Sequence, residues 1–308
     1  MTAPSNLEMS PPAHVLGVIG YPVTHTLSPI MHNAAIQRCS LNFVYVAFEV
    51  YPHLLERAIR GIPGLGIFGV NITVPHKEAV MPFLDRISPE AQFIGAVNTV
   101  VREGEKLVGH NTDGIGFSRA LTQEGNFPLT GKTVLLLGAG GASRAVAAQT
   151  ASEGTKKLII ANRSLPRAQR LESDLRGKFP GLQCHSVLLD DEAVGPLLPN
   201  VDLLVNTTTL GMNPGDRAPV SLTNLPKDAL IYDVIYNPPV TPLIREARER
   251  GNRALNGLGM LVHQGAASFE LWTGSTAPIE VMRRALEEVL GISSAGDLFP
   301  PGDLLPHS

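Results

Sequence analysis

An α/β fold in two domains, with a cleft between them, is the structure that this sequence of 308 residues predicts. Short apolar runs alternate with longer segments of helical pattern along almost the whole chain. Strands that alternate with helices form mainly parallel sheets with helices on both faces. Because domains commonly hold about 100–200 residues, a chain of this length accommodates two of them.

The composition is that of a compact globular protein, with 44% apolar and 17% charged residues. The net charge is −3, from 25 basic and 28 acidic side chains, which gives no electrostatic footprint for nucleic acid or an anionic membrane. The two cysteines, Cys39 and Cys184, belong to no Cys/His cluster, so we expect neither a disulfide framework nor a structural metal site. The first residues lack the features of a secretory signal, and we expect a cytoplasmic protein.

The elements follow from apolar runs and from capping residues. Ser28 is a candidate N-cap for the first helix, and Pro29 suits its first position. The predicted strands are 14–20, 42–50, 68–74, 96–102, 106–110, 133–138, 157–162, 183–187, 202–207 and 230–236. The predicted helices are 29–39, 53–61, 77–84, 88–94, 113–124, 141–153, 165–178, 241–250, 259–273 and 278–290.

A fresh series of strands and helices begins after the helix and loop at 113–132, and this marks a domain boundary. We expect an N-terminal α/β substrate domain at 1–112, with a mainly parallel sheet. The two last helices, within 256–292, return to pack on it. The second domain is Rossmann-like and spans 113–255, and the Pro- and Gly-rich tail 293–308 is expected to be loose.

A glycine-rich turn predicts a phosphate-binding site in the second domain. The buried strand at 133–138 leads through Gly138, Ala139, Gly140, Gly141 and Ala142 into an alanine-rich helix. Glycines let backbone N–H groups approach a pyrophosphate, and the helix N-terminus favours its charge. The sixth position of the G-x-G-x-x-G pattern is Ser143, so the match is imperfect, and a tight turn without a ligand is the alternative.

The next strand favours NADP over NAD as the cofactor. It ends at Asn162, Arg163 and Ser164, and Arg167 follows, where an NAD site usually has an acidic residue for the ribose 2′-hydroxyl. Guanidinium groups match the geometry of a 2′-phosphate and stay charged. The alternative is that both arginines are solvated residues at the start of a surface helix.

Polar side chains follow the strands of the first domain, in the loops 20–29, 71–78, 95–99 and 109–117. Ligands of parallel sheets bind beyond the carboxyl ends of the strands, so we expect these loops to meet at one cleft. Their hydroxyl and amide groups, with Lys77 and Asp113, suit a small polyhydroxylated ligand that carries a carboxylate. A lysine that contacts a substrate hydroxyl can pass a proton as hydride moves. The alternatives are that Ser28 and Asp113 only cap helices and that Lys77 is a solvated residue.

The order and spacing of several motifs resemble the shikimate dehydrogenase family from about residue 14 to 290. No single motif is as specific as the set. The matching stretches are HTLSPIMHN (25–33), NITVPHKE (71–78), GAVNTV (95–100), NTDGIGF (111–117), GAGGASRA (138–145), NRS (162–164), NTTTLGM (206–212), YDVIYNP (232–238) and NGLGMLVHQGAASFELWTG (256–274).

The resemblance implies a reversible, NADPH-dependent reduction of 3-dehydroshikimate to shikimate in aromatic amino-acid biosynthesis. It makes Lys77 and Asp113 the catalytic pair. The residues that it assigns to the substrate are Thr26, Ser28, Thr73, Asn98, Tyr236 and Gln264. Those that it assigns to NADP(H) are Gly138, Ala139, Gly140, Gly141, Ala142, Asn162, Arg163, Ser164, Arg167, Thr207, Met212, Gly257 and Met260.

One departure from the family's sequence pattern leaves the identity of the substrate open. The family pattern is HSxSP, and here Thr26 takes the place of the first serine. Threonine keeps the hydroxyl and adds a methyl group, and such changes also occur in relatives that use quinate. A quinate/shikimate dehydrogenase of broader specificity and a non-catalytic NADP-binding regulatory protein are therefore the alternatives. The sequence also leaves open whether the protein is a monomer or a homodimer.

Overall fold

The computed structural model describes residues 13–292, so the tail 293–308 and the first twelve residues lie outside the described residues. The N-terminal part contains the strands β1 (His14–Gly20), β2 (Phe43–Glu49), β3 (Gly69–Ile72), β4 (Arg86–Ile87), β5 (Thr99–Glu103) and β6 (Lys106–His110). Its helices are α1 (Ser28–Arg38), α2 (Leu55–Gly61) and α3 (Pro89–Ile94), with short 3-10 helices at Pro52–Leu54 and Met81–Phe83.

The rest of the chain begins with α4 (Asp113–Gln123). Strands and helices then alternate as β7 (Thr133–Leu137), α5 (Gly141–Ser152), β8 (Lys157–Asn162), α6 (Leu165–Lys178), β9 (Gln183–Leu188), α7 (Asp191–Val194), β10 (Leu203–Asn206), β11 (Leu230–Asp233), α8 (Pro242–Glu249) and β12 (Ala254–Leu255). A 3-10 helix lies at Gly195–Asn200. The last two helices are α9 (Leu258–Thr273) and α10 (Ile279–Leu290).

Two sheets of six strands confirm the predicted α/β fold. The first has the order β2-β1-β3-β5-β6-β4 and is mixed, because β5 runs antiparallel to β3 and β6. The second has the order β12-β11-β10-β7-β8-β9 and is parallel throughout. This is the Rossmann order, in which the chain reverses direction across the sheet between β7 and β10, and ligands bind at that point.

The last two helices pack on the first sheet although they follow the second in sequence. Phe269 of α9 and Met282 of α10 belong to the same buried cluster as Leu16 and Tyr45 of the first sheet. Trp272 of α9 is buried in this cluster as well, and its indole N–H donates to the carbonyl of Val100 at 3.0 Å. Close packing also joins α9 to α4: a Cβ at Gly116 would lie 2.7 Å from the backbone nitrogen of Gln264.

The helix predicted at 77–84 is wrong. This segment forms turns, followed by the short 3-10 helix at Met81–Phe83. The carbonyl of Lys77 accepts a hydrogen bond from the N–H of Val97 at 2.8 Å. This carbonyl therefore bonds to a residue outside the segment and not to an N–H of a helix at 77–84. Pro82 has no N–H to donate, which weakens an α-helix further.

The predicted capping role of Ser28 is also wrong. Helix α1 begins at Ser28 itself, and Leu27 is the N-cap without a side-chain hydrogen bond. The N–H of Ser28 donates to Thr26 Oγ1 at 3.4 Å, and its hydroxyl lies 3.3 Å from the same oxygen. The two side chains therefore face each other at the start of the helix, which leaves Ser28 available to a ligand.

Candidate active site

A cavity of about 190 Å³ lies between the two sheets and brings many of the predicted residues together. Strand ends of the first sheet, the start of α4, the segment after β11 and one face of α9 contribute to it. The predicted residues that line it are Thr26, Ser28, Thr73, Lys77, Asn98, Asp113, Tyr236, Gly257, Met260 and Gln264. The others that line it are Val18, Asn71, Ile72, Val234 and Leu261.

Lys77 and Asp113 form an ion pair in the cavity wall. Lys77 Nζ lies 2.6 Å from Asp113 Oδ2, and the two side chains are 22% and 7% exposed. Asp113 occupies the first turn of α4, where the positive end of the helix dipole stabilises a carboxylate. Partial exposure keeps the ammonium group within reach of a ligand, while its partner is held inside the protein.

Asn98 holds the second oxygen of the Asp113 carboxylate. Its Nδ2 donates to Asp113 Oδ1 at 2.8 Å and lies 3.3 Å from Gln264 Oε1. Its Oδ1 accepts from the N–H of Thr112 at 2.8 Å. Each carboxylate oxygen of Asp113 therefore has its own donor, and the orientation of the carboxylate is fixed.

Hydroxyl groups line another part of the cavity. Thr26 and Ser28 present their side chains there, together with the phenol of Tyr236. Burial raises the pKa of Tyr236, so its O–H remains a hydrogen-bond donor in neutral solution. Three hydroxyl donors suit a carboxylate or several ring hydroxyls of a small ligand.

The glycine-rich turn lies at the point where the second sheet reverses. Gly138 follows β7 with a φ of +117°, and a Cβ there would lie 2.6 Å from Thr207 Oγ1, which follows β10. Ser143, the departure from the glycine pattern, is buried and its hydroxyl lies 2.6 Å from that of Thr207. Ser143 therefore links helix α5 to the residue after β10 by a hydrogen bond. A glycine at this position would allow close packing but could not form that bond.

The same turn leaves room for a pyrophosphate. A Cβ on Gly140 would meet no atom within 4 Å, and one on Gly141 would meet only Ala96 Cβ, at 3.8 Å. Helix α5 has twelve residues and starts at Gly141. The N–H groups of its first turn face this space. Ala139 and Gly140 line a groove that also includes Arg167. The residues present fit a dinucleotide.

Arg163 and Arg167 border two separate hollows near the end of β8. Arg163 faces a hollow with Thr208, Asn213 and Asp216, whereas Arg167 lines the groove beside Gly140. Both are exposed, and within residues 13–292 neither forms an ion pair.

Asp216 lines the same hollow as Arg163 but, within the described residues, forms no ion pair with it. Its carboxylate accepts backbone N–H bonds from Gly211 at 2.9 Å and Asn213 at 3.0 Å, and these bonds lower its pKa. Two guanidinium groups that form no ion pair among the described residues remain available to a 2′-phosphate.

The other residues predicted to bind the cofactor are distributed over the turn after β8, the cavity wall and the loop after β10. Asn162 donates to the carbonyl of Ser164 at 2.9 Å and so shapes the turn after β8. Met260 is buried in the cavity wall, whereas Met212 is 48% exposed on the loop after β10, outside that wall. Gly257 packs against the backbone of Val234, where no Cβ fits.

Sequence reasoning missed Asn71, Thr99, Thr112, Tyr45 and Ser268 as members of the polar network behind the cavity. Each of them is buried. Asn71 and Thr112 stand inside the motifs 71–78 and 111–117, so their place in the sequence could have identified them as site residues. Thr99 and Ser268 also stand inside quoted motifs, 95–100 and 256–274, whereas Tyr45 stands in an apolar segment outside all of them, and only the packing of β2 brings it to the site.

Within the described residues 13–292, no group of three His, Cys, Asp or Glu side chains could hold a metal ion. No helix of this part of the chain is both long enough and apolar enough to cross a membrane.

Comparison with known proteins identifies the family. The profile of the shikimate dehydrogenase substrate binding domain matches residues 18–100, that of shikimate / quinate 5-dehydrogenase matches 120–209, and that of the shikimate 5′-dehydrogenase C-terminal domain matches 257–287. Shikimate dehydrogenase (NADP(+)) of Methanopyrus kandleri is 48% identical over 279 residues, which cover 90% of this chain and 96% of that protein.

Solved structures agree in fold. A shikimate dehydrogenase in complex with NADP+ superposes with a TM-score of 0.84 at 41% identity and covers 90% of this chain and 96% of its own. Quinate dehydrogenase of Corynebacterium glutamicum in complex with NAD has a TM-score of 0.81 at 31% identity, covering 90% of this chain and 99% of its own. With the identity, coverage and family profiles taken together, this chain belongs to the shikimate dehydrogenase family.

Proposed function

We propose that the protein catalyses the reversible, NADP-dependent interconversion of shikimate and 3-dehydroshikimate. The observation that carries the proposal is the Lys77–Asp113 ion pair, which faces a small polar cavity beside a dinucleotide turn. The 48% identical relative named shikimate dehydrogenase (NADP(+)) supports the same reaction. Enzymes of this class need a positioned proton donor and acceptor at the carbinol oxygen, and they need a nicotinamide beside the carbinol carbon.

Lys77 is the proposed proton carrier. During oxidation its neutral amine accepts the proton of the ring hydroxyl, and during reduction its ammonium group returns it to the forming alkoxide. Asp113 Oδ2 holds Nζ at 2.6 Å, so the donor stays aimed at one position in the cavity. Fixed geometry of this kind removes much of the entropic cost of the reaction.

The remaining cavity residues would orient the substrate. Thr26, Ser28 and Tyr236 present hydroxyls for its carboxylate, while Thr73, Asn98 and Gln264 face its ring hydroxyls. The bound NADP supplies the hydride acceptor or donor. Its pyrophosphate would lie on Gly138–Ala142 and its 2′-phosphate between Arg163 and Arg167, while Thr207, Gly257 and Met260 would lie toward the nicotinamide.

We propose that residues 113–255 form the nucleotide domain. The substrate domain is then 1–112 together with 256–292, within the described part of the chain. The shared core of β1, α9 and α10 supports this division. Helix α4 packs against both α5 and α9, so it lies between the two units.

Quinate is the second candidate substrate. Thr26 supports it because its methyl group changes the surroundings of the ring substituents at the carboxylate end of the cavity. The quinate dehydrogenase structure, at 31% identity, shows that this fold hosts that activity.

The proposal is tested by incubating the protein with NADP+ and shikimate and identifying the product by mass spectrometry. Formation of 3-dehydroshikimate together with NADPH supports it. Tight binding of NADPH with no product from shikimate or quinate would instead favour a non-catalytic NADP-binding protein.

A further inference from the structure

A chain of hydrogen bonds behind the cavity runs in one direction and ends at the catalytic carboxylate. Tyr45 O–H donates to Asn71 Oδ1 at 2.7 Å, and Asn71 N–H donates to Thr99 Oγ1 at 3.2 Å. Thr99 O–H donates to Asn98 Oδ1 at 2.9 Å, and Asn98 N–H donates to Asp113 Oδ1 at 2.8 Å. Asn71, Thr99 and Asn98 each accept one of these bonds and donate the next, so successive bonds polarise one another toward the carboxylate.

The protein interior shields this chain from solvent. Tyr45, Asn71, Thr99, Asn98 and Asp113 are each at most 6% exposed. Burial also raises the pKa of Tyr45 well above its usual value, although a side-chain hydrogen bond with Ser28 lowers it, so its phenol stays protonated and donates. In such surroundings a lost partner leaves a polar group that water does not readily rescue.

The bonds to Asn98 Oδ1 leave the amide one orientation. That oxygen accepts from the N–H of Thr112 at 2.8 Å and from the hydroxyl of Thr99 at 2.9 Å, and the hydroxyl of Thr112 lies 3.2 Å from it. A turned amide would set its NH₂ group against the Thr112 N–H, and two donors would face each other. The NH₂ group therefore points to Asp113.

We propose that Thr99 and Tyr45 are positioning residues that act on the reaction through Asn98 and Asp113. Neither is among the residues that line the cavity. Their hydrogen bonds hold the Asn98 amide, the amide holds one oxygen of Asp113, and the other oxygen directs Lys77. The effect on turnover rests on the proposed function, whereas the hold on the Asn98 amide does not.

The competing explanation is that the chain only stabilises the fold. Ser268 of α9 supports it, because its hydroxyl lies 2.7 Å from Thr99 Oγ1 and so ties α9 to β5. A fold-stabilising role changes the free energy of unfolding. If the residue has a positioning role, its loss also lowers kcat with little change in KM. A substitution that keeps the hydroxyl then restores kcat.

The principal variant is Thr99→Val, which keeps the shape and removes the hydroxyl. Thr99→Ser restores that hydroxyl, and Tyr45→Phe removes the first donor of the chain. Thr150→Val is the matched control, because Thr150 is as deeply buried as Thr99 and its hydroxyl has no hydrogen-bond partner among the described residues. Folding of every variant is checked by thermal unfolding.

We expect Thr99→Val to lower kcat for shikimate about tenfold, with KM for shikimate and Kd for NADP+ changed less than about twofold. Tyr45→Phe should lower kcat about two- to threefold, because it acts through two more bonds. Thr99→Ser and Thr150→Val should keep wild-type kcat. A folded Thr99→Val variant with wild-type kcat would overturn the role in turnover.

A second readout does not require that shikimate be the substrate. The side-chain amide signal of Asn98 is recorded by ¹⁵N–¹H NMR and assigned by its loss in Asn98→Asp. We expect its amide protons to exchange with solvent at least about tenfold faster in Thr99→Val than in wild type or Thr150→Val. Equal exchange rates would overturn the proposed hold on Asn98. Wild-type protein inactive on shikimate would instead refute the proposed function.

Discussion

Lys77 Nζ and Asp113 Oδ2 lie 2.6 Å apart, although the two residues come from different elements and are separated by 36 positions in the sequence. The turn after β3 carries the lysine, and the first turn of α4 carries the aspartate. The carbonyl of Lys77 is tied to Val97, and the Asp113 carboxylate is tied to Asn98, so both partners are held by the segment between β4 and β5.

Replacement of the lysine tests the proton carrier. Lys77→Ala should lower kcat about 10²–10⁴-fold, the usual contribution of general acid–base catalysis, with Kd for NADP+ nearly unchanged. Steady-state kinetics and fluorescence titration of NADPH measure the two effects. Lys106→Ala, at an exposed lysine of β6, is the control. Unchanged turnover in Lys77→Ala would remove this residue from the mechanism.

Replacement of the arginines tests the 2′-phosphate site. Arg163→Ala and Arg167→Ala should each weaken NADP+ about 10–100-fold, since each removes charge-assisted hydrogen bonds to the phosphate. Binding of NAD+ should change much less, because it lacks that phosphate. Calorimetric titration with both nucleotides measures the difference, and Arg57→Ala, at an exposed arginine of α2, is the control. Equal losses for both nucleotides would contradict the assignment.

Acid stability depends on His32. Burial lowers its pKa to about 3, and among the described residues neither ring nitrogen has a hydrogen-bond partner. The folded protein therefore binds this proton more weakly than the unfolded chain, whose histidines titrate near pH 6.5. The stabilising contribution is present above pH 6.5 and is lost as the pH falls from there toward 3.

The variant His32→Phe keeps a ring against Tyr45, whose ring lies 4.3 Å from that of His32. We expect the free energy of unfolding of wild type to fall more steeply than that of this variant between about pH 6.5 and 4. Urea unfolding at each pH provides the measurement, and His185→Gln, at an exposed position, is the control. Parallel curves for wild type and His32→Phe would contradict the prediction.

Asp233 produces the opposite pH dependence. Burial raises its pKa to about 6, although Thr241, Ile235 and Asn206 donate hydrogen bonds to it. The folded protein binds this proton more tightly than the unfolded chain. The contribution is therefore fully present below about pH 4 and is lost as the pH rises through 6.

This rise in pKa corresponds to a loss of about 3 kcal/mol in the free energy of unfolding as the pH rises from below 4 to above 6. Asp233→Asn should remove this part of the pH dependence, as measured by urea unfolding between pH 4 and 7. Asp228→Asn, at an exposed position, should leave it unchanged. If Asp233→Asn keeps the wild-type slope, the carboxyl does not titrate as described.

Much of this architecture is predictable from sequence because its signals are local. The apolar runs of β7, β8 and β10 are continuous, as in strands that are buried on both faces. The glycine turn at 138–141 shows where the second sheet reverses. Two predictions fail, the helix at 77–84 and the cap at Ser28. At 77–84 the carbonyl of Lys77 accepts a hydrogen bond from the distant Val97 N–H, whereas at Ser28 the backbone N–H donates to the nearby hydroxyl of Thr26.

The candidate site was predictable where its residues lie near strand ends, as Lys77, Asn98 and Asp113 do. Its supporting network was not, because the residues that Tyr45 and Ser268 contact are set by tertiary packing and not by their local sequence. The two arginines show the same limit. Their spacing predicts one clamp, whereas in the structure they line two separate hollows near the end of β8.

The most direct test of the central claim is steady-state oxidation of shikimate and of quinate, each with NADP+ and with NAD+. The proposal predicts that kcat/KM is highest for shikimate with NADP+ and falls at least about tenfold when either the substrate or the nucleotide is exchanged. Comparable values for quinate would shift the assignment to an enzyme of broader specificity, with Thr26 as the first residue to substitute. No oxidation of shikimate by a folded protein that binds NADP+ would contradict the account.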